Sequence, residues 1–232
     1  MLTIRRSDER GKSNWGCRAS HHAFSFGGYV DPAWMGFRIL RVINEDRVTP
    51  GQGFGTHPHR DMEILSYVIK GAMEHKDSMG TGSLIVPGEL QRMTAGTGIT
   101  HSEFNPSTTD SLHFLQIWIV PEKNGLRPGY EQRAFPIDEQ RGKLVLIASQ
   151  DGRNDSLTVH QNVSLYAGRF DNGQAISHSF GPQRNGWMQV VRGSVLANGE
   201  ELRAGDGGAL NGGETLKLRA RSDAEVLLFD LN

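Results

Sequence analysis

The chain is predicted to be all-β and built as two similar barrels in tandem. Three observations lead there. Short apolar or alternating runs rich in Val, Ile, Leu, Phe and Tyr recur along the whole length, glycines punctuate them, and a block of the first half is echoed in the second. No stretch has a sustained helical period.

The candidate strands lie, in order, at residues 37–43, 64–69, 84–86, 112–120, 144–148, 188–191, 195–197 and 226–231. Turn formers bound them at Lys70-Gly71, Pro87-Gly88, Asn198-Gly199 and Gly205-Asp206. Asn198-Gly199 is the strongest hairpin signal, because a two-residue type I′ turn needs positive φ at both positions. The 29 glycines among 232 residues exceed the usual share of roughly 7% and form no low-complexity tract.

The echo runs through several elements. Tyr67-Val68-Ile69-Lys70-Gly71 reads like Val190-Val191-Arg192-Gly193, and each is followed by an apolar run and a turn, at Pro87-Gly88-Glu89 or Gly205-Asp206-Gly207. Residues 112–119 are answered by 226–231. Residues 121–129, rich in turn formers, suit a connection. The expected division is a first barrel at 1–120, a linker at 121–142 and a second barrel at 143–232.

Bulk properties narrow the function. A formal net charge of −1 and a pI near 6.8 give no field that attracts nucleic acid or an acidic membrane surface, so a small partner is expected. Cys17 is the single cysteine, which excludes an internal disulfide, fits a reducing compartment and is expected to be a buried, inert thiol. Residues 1–16 are charged and lack the apolar core of a secretory signal, and nothing approaches the roughly 20 apolar residues of a membrane span. A cytoplasmic monomer is expected.

Chemistry concentrates in two short pairs, His57-Pro58-His59 and His101-Ser102-Glu103. In a strand, residues i and i+2 share a face, about 6.5 to 7 Å apart, so each pair can aim both members at one point. Three imidazoles and a carboxylate from two strands suit a first-row transition metal with coordination positions left over. Glycines at 51, 53 and 55 and at 96 and 98 lead into the pairs and allow the strands to approach closely. Glu63 shares the parity of His57 and His59, so spacing alone leaves it open as an alternative carboxylate; with Glu103 as ligand, Glu63 and Asp61 are expected to orient the imidazoles.

Carrying the histidines over by the Gly71-to-Gly193 offset lands on Ser179 and Gly181; carrying His101 and Glu103 over by the later turns lands on Leu218 and Ala220. His178 lies one residue off and so addresses the other face. One metal site, in the first half only, is expected. His75 and His113 read as supporting residues, His21, His22, Phe24 and Phe26 as core, and Phe54, Phe104 and Phe114 as flanking residues of which some face a substrate.

The residues 57–60 with Glu63, then 74–80, then 93–103, resemble the pirins, a branch of the cupin superfamily. Gln116-Ile117-Trp118, residues 121–132 and His22-Ala23-Phe24-Ser25-Phe26 share the likeness, which covers nearly the whole chain and is particularly close to bacterial pirin-like proteins with quercetin 2,3-dioxygenase activity. The resemblance implies a bicupin of two consecutive jelly-roll β-barrels. It implies a metal, usually iron, in the first barrel, held by His57, His59, His101 and Glu103. Spacing and donor type by themselves admit Fe(II), Ni, Cu, Mn, Co or Zn.

The expected reaction is ring cleavage of quercetin or a related flavonol with O2 and release of carbon monoxide, Glu103 accepting the proton of the substrate hydroxyl. The rival from another class is a regulatory or redox-sensing pirin that acts through protein partners. The neutral pI argues against direct DNA binding.

Overall fold

In a computed structural model that describes residues 2–232, the chain is almost wholly strands and turns. The strands of the first half are β1 (Thr3–Arg5), β2 (Gly11–Asn14), β3 (Arg18–His22), β4 (Leu40–Val48), β5 (Gly53–His59), β6 (Glu63–Lys70), β7 (Met73–Asp77), β8 (Gly82–Ile85), β9 (Glu89–Thr94), β10 (Ile99–Phe104), β11 (Leu112–Ile119) and β12 (Gly129–Ala134). Those of the second are β13 (Val145–Ser149), β14 (Leu157–Thr158), β15 (Val163–Phe170), β16 (Ala175–Ser179), β17 (Asn185–Arg192), β18 (Ser194–Ala197), β19 (Glu200–Arg203), β20 (Gly207–Leu210), β21 (Thr215–Ala220) and β22 (Ala224–Leu231). Helix among the described residues is confined to single 3-10 turns at Ser7–Glu9 and Arg153–Asp155, and none is long and apolar enough to cross a membrane.

Two compact units result. One holds Gly11–Phe135 with Leu157–Gln161, the other the first ten residues with Pro136–Ser156 and Asn162–Asn232. Each is a sandwich-like barrel of a large and a small antiparallel sheet. In the first unit the large sheet runs β12-β9-β6-β11-β4-β3-β2 and the small one β5-β10-β7-β8. In the second, β20-β17-β22-β15-β13 repeats the order β9-β6-β11-β4-β3, with β1 beside β20, and β16-β21-β18-β19 repeats that of the small sheet. The internal repeat read from the sequence is thus a repeat of topology, and the fold is the expected bicupin.

Local physics explains the elements. β6, β11, β17 and β22 are apolar, nearly continuous runs buried over most of their length, as central strands covered on both faces must be. Gly71 and Gly193 stand at matching turns with φ of 83° and 68°, and at Gly193 an added Cβ would meet the Asp223 carbonyl at 2.0 Å. Asn198 and Gly199 both have positive φ, 50° and 91°, as the hairpin between β18 and β19 requires. Pro58 is tolerated because β5 lies at the edge of its sheet.

Several strands are absent from the apolar runs, notably β3, β5, β7 and β10. They carry His, Ser, Asp and Glu at positions that face the barrel interior, so apolar alternation is missing where the chemistry sits. Residues 121–142, read as a connection, contain β12, which pairs with β9 from Gly129↔Thr94 to Ala134↔Glu89. Its side chains are half-buried or exposed, so the strand has little apolar pattern to announce it. Cys17 is half-buried, on the turn between β2 and β3, rather than buried as expected.

Candidate metal centre

β5 and β10 pair antiparallel with His101 opposite His57 and Ile99 opposite His59. Opposite His101 and Glu103 the register slips by one, the extra residue lying on β5 between Phe54 and His57, and the bulge re-aims that strand. Gly53 is needed beside that bulge, since a Cβ there would lie 2.2 Å from the Glu103 carbonyl. On its other side β10 pairs with β7, placing Asp77 opposite His101 and His75 opposite Glu103. The three expected histidines therefore converge, with His59 Nε2 at 3.0 Å and His57 Nε2 at 3.1 Å from His101 Nε2.

The hydrogen bonds around these rings fix which nitrogens carry protons. His57 Nδ1 sits 2.7 Å from the Gly55 carbonyl, so it is the donor and leaves Nε2 with a lone pair. His75 Nε2 lies 3.2 Å from Asp77 Oδ2 and donates to it. His75 Nδ1 is then an acceptor for His101 Nδ1 at 3.4 Å, which leaves His101 Nε2 bare as well. Two lone pairs thus face each other at 3.1 Å, an arrangement that a cation between them converts from repulsive to favourable. Burial, and secondarily the neighbouring rings, pushes His101 down to about 2 and His59 down to about 4, so both are neutral and ready to ligate across the physiological range. The donor set fits a transition metal.

Glu103 is buried and lies with His101 and His75 in a second cluster whose ligand atoms are all within 4.8 Å of one another. Ser66 Oγ donates to its Oε1 at 3.2 Å and Gln116 Nε2 to its Oε2 at 2.7 Å. Trp118 Nε1 in turn donates to Gln116 Oε1 at 3.3 Å, tying the carboxylate to the cavity wall. Burial first, and then Asp46, pushes the Glu103 carboxyl up to about 7.

The expectation that Glu63 and Asp61 orient the imidazoles is corrected. Glu63 Oε2 accepts from the backbone N–H of His160 at 3.2 Å and lies 3.3 Å from its Nδ1, while Asp61 accepts from Gly125 N–H at 2.7 Å. β6 belongs to the large sheet, and since Ser66 on it reaches Glu103, the alternate positions that include Glu63 address the other face of that sheet. The orienting pair is His75 with Asp77 instead. Replacing Asp77 with Asn frees the tautomer of His75 and should weaken metal binding roughly 10- to 100-fold, measured by competition with a chelator.

The second barrel also corrects a detail. Through sheet register, Ile176 opposes Leu218 and His178 opposes Leu216 on β16 and β21, so His178 is the counterpart of His59 rather than one residue out of phase. The counterpart of His57 is Ile176 and that of His101 is Leu218, both packed with an apolar core. His178 pairs with Asp230 at 3.0 Å. Among the described residues, both clusters able to hold a metal lie in the first half.

A cavity of about 290 Å³ opens beside His57 and His59. Trp15, Arg18, Phe26, Phe54 and Trp118 give it an aromatic and cationic rim, and Ser20, His22, Asn44, Asp46 and Gln116 a polar wall. Asp46 is pushed up to about 7, chiefly by burial, against a hydrogen bond from Ser20 that works the other way. Of the residues first read as core, Phe24 is core whereas His22 and Phe26 line the cavity; Phe54 lines it too, and Phe114 is buried behind. His113 is bound to Glu45 at 2.8 Å. Trp15, Arg18, Ser20, Asn44 and Asp46 were missed, though Asn44 and Asp46 interrupt the inward-facing Leu40, Val42 and Val48 of β4 and could have been noticed.

Comparison with known proteins follows the same lines. A family model described as Pirin matches residues 3–119, and one described as Quercetinase C-terminal cupin domain matches residues 146–231. The chain is 50% identical over 231 residues to quercetin 2,3-dioxygenase of Escherichia coli K12, covering 100% of this chain and 99% of that protein. It is 39% identical to a putative quercetin 2,3-dioxygenase of Pasteurella multocida, with 100% of both covered. Among solved structures, YhhW from Escherichia coli superposes with a TM-score of 0.96 at 49% identity, covering 100% of this chain and 98% of that one. A nickel(II) complex of the bacterial pirin YhhW gives 0.95 at 48%, covering 100% and 99%.

Proposed function

Since the chain belongs to the pirin family, we propose that it is a metal-dependent dioxygenase that opens the heterocyclic ring of quercetin or a related flavonol. Both atoms of O2 enter the product and the excised ring carbon leaves as carbon monoxide. The observation that carries this reading is the cavity: a cleft walled by aromatic side chains and polar groups runs up to the converging imidazoles, as a planar hydroxylated substrate needs. A sensor acting only through a protein partner has no use for such a cleft.

In this reading His57, His59, His101 and Glu103 hold the metal. Iron(II) is favoured by the family resemblance, and the nickel(II) complex of YhhW supports a site that accepts other divalent ions. The bound ion supplies Lewis acidity toward a substrate hydroxyl and a path for electrons to O2. The chain does the rest. Phe26, Phe54 and Trp118 present edges and faces to a flat ring system and exclude water. Glu103, oriented by Ser66 and Gln116, is the buried carboxylate that takes the hydroxyl proton in this reading.

The test follows loss of flavonol absorbance by metal-loaded protein under air and under nitrogen, with carbon monoxide trapped in parallel. Oxygen-dependent loss with stoichiometric carbon monoxide is expected. A fully metal-loaded protein that turns over no flavonol would favour the regulatory role instead.

A further inference from the structure

Arg18 opens β3 just after the turn that carries Trp15, and its guanidinium sits at the rim of the cavity, not in an ion pair. Its carbon lies 4.6 Å from the centre of the Phe54 ring and 5.4 Å from that of Trp15. The Nε is buried and has no hydrogen-bond partner. The contrast with other sheltered arginines is instructive: Arg92 is paired with Glu131, Arg169 with Glu225 and Arg184 with Asp230. Asp46, the carboxyl among the cavity-lining residues, is hydrogen-bonded by Ser20 and feels the Arg18 charge only as the smallest of the influences on it. A guanidinium held against two aromatic neighbours at the rim of a cavity, with no carboxylate in hydrogen-bond contact, is suited to receive an oxygen anion.

Its position sets the size of what it can receive. Phe54, over which it stacks, and His57 are three residues apart on β5, which is roughly 10 Å of strand. That is the span of a fused two-ring aromatic with its oxygen substituents. We propose that Arg18 is a specificity-determining residue: it binds a phenolate or other anionic oxygen at the end of a planar aromatic substrate remote from the oxygens that chelate the metal. The substrate class is thereby narrowed to aromatics with an acidic group at each end. The proposal rests on the dioxygenase reading for its substrate, though not for the binding preference itself.

Two measurements test it. In steady-state kinetics on metal-loaded protein, Arg18→Gln should raise KM for quercetin about tenfold with kcat within about twofold, leave KM for 3-hydroxyflavone, which lacks the remote hydroxyls, unchanged, and be partly rescued by Arg18→Lys. An equal rise for both flavonols, or no rise, overturns the proposal. In the second, nickel-loaded protein under nitrogen is titrated with 2,3-dihydroxynaphthalene and with its 6-sulfonate, followed by tryptophan fluorescence. The wild type should bind the sulfonate about tenfold more tightly and Arg18→Gln should bind the two alike. If no flavonol is oxidised yet this preference holds, the dioxygenase reading fails and Arg18 keeps its role; if flavonols are oxidised and the preference is absent, Arg18 loses it.

Discussion

Replacing His101 with alanine is expected to strip the protein of metal and of activity together. His101 is the ring that both other imidazoles face, at 3.0 and 3.1 Å, and it is 1% exposed, so no water-borne donor can easily take its place. Metal content of protein purified from iron-supplemented cells should fall from about one ion per chain to below a tenth. Flavonol turnover should drop at least a thousandfold, the equivalent of the several kcal/mol a metal contributes to the transition state. Because the ring is buried, His101→Gln serves as a second variant that keeps more of the volume. His178→Ala is the internal control. It removes the register counterpart of His59 from the second barrel and should leave metal content and rate within about twofold.

The second large effect is at Glu103, where Gln is nearly isosteric and can keep the contacts to Ser66 and Gln116. Turnover by Glu103→Gln should fall by roughly 10² to 10⁴ through loss of the proton acceptor, and metal affinity should weaken with the lost charge. Stability should move the other way in chelator-treated protein. Burial raises this carboxyl from 4.5 to about 7, so between those values the folded protein keeps a proton that the unfolded chain has released. Stability therefore declines as pH rises through that window and levels off above it.

The full effect is on the order of 3 kcal/mol. His59 and His101 act with the opposite sign, because below pH 6.5 the unfolded chain takes up protons that their buried rings refuse. Wild type and variant share that contribution. The midpoint difference between Glu103→Gln and wild type should accordingly be small at pH 4.5 and grow until about pH 7. A difference that stays flat across the range would mean that burial does not raise the Glu103 carboxyl in the metal-free protein.

The apolar runs at 64–69, 112–120, 188–191 and 226–231 became the central strands β6, β11, β17 and β22, because continuous burial imposes continuous apolarity. β3, β5, β7 and β10 were harder to read, since their interior positions are given to Ser20, His57, His59, His75, His101 and Glu103. The pairs at 57/59 and 101/103 nevertheless signalled a shared face through spacing alone.

What the sequence by itself determined is therefore the tandem repeat, the β class and which side chains share a face, all consequences of local periodicity. Tertiary structure alone decided which faces meet. It sent Glu63 to His160 rather than to the imidazoles, set His75 and Asp77 behind His101, aligned His178 with His59, and gathered Arg18, Asp46 and Trp118 around one cavity. Parity along a strand fixes direction and says nothing of the neighbour across the sheet. That neighbour is chosen by pairing and packing between residues far apart in the chain.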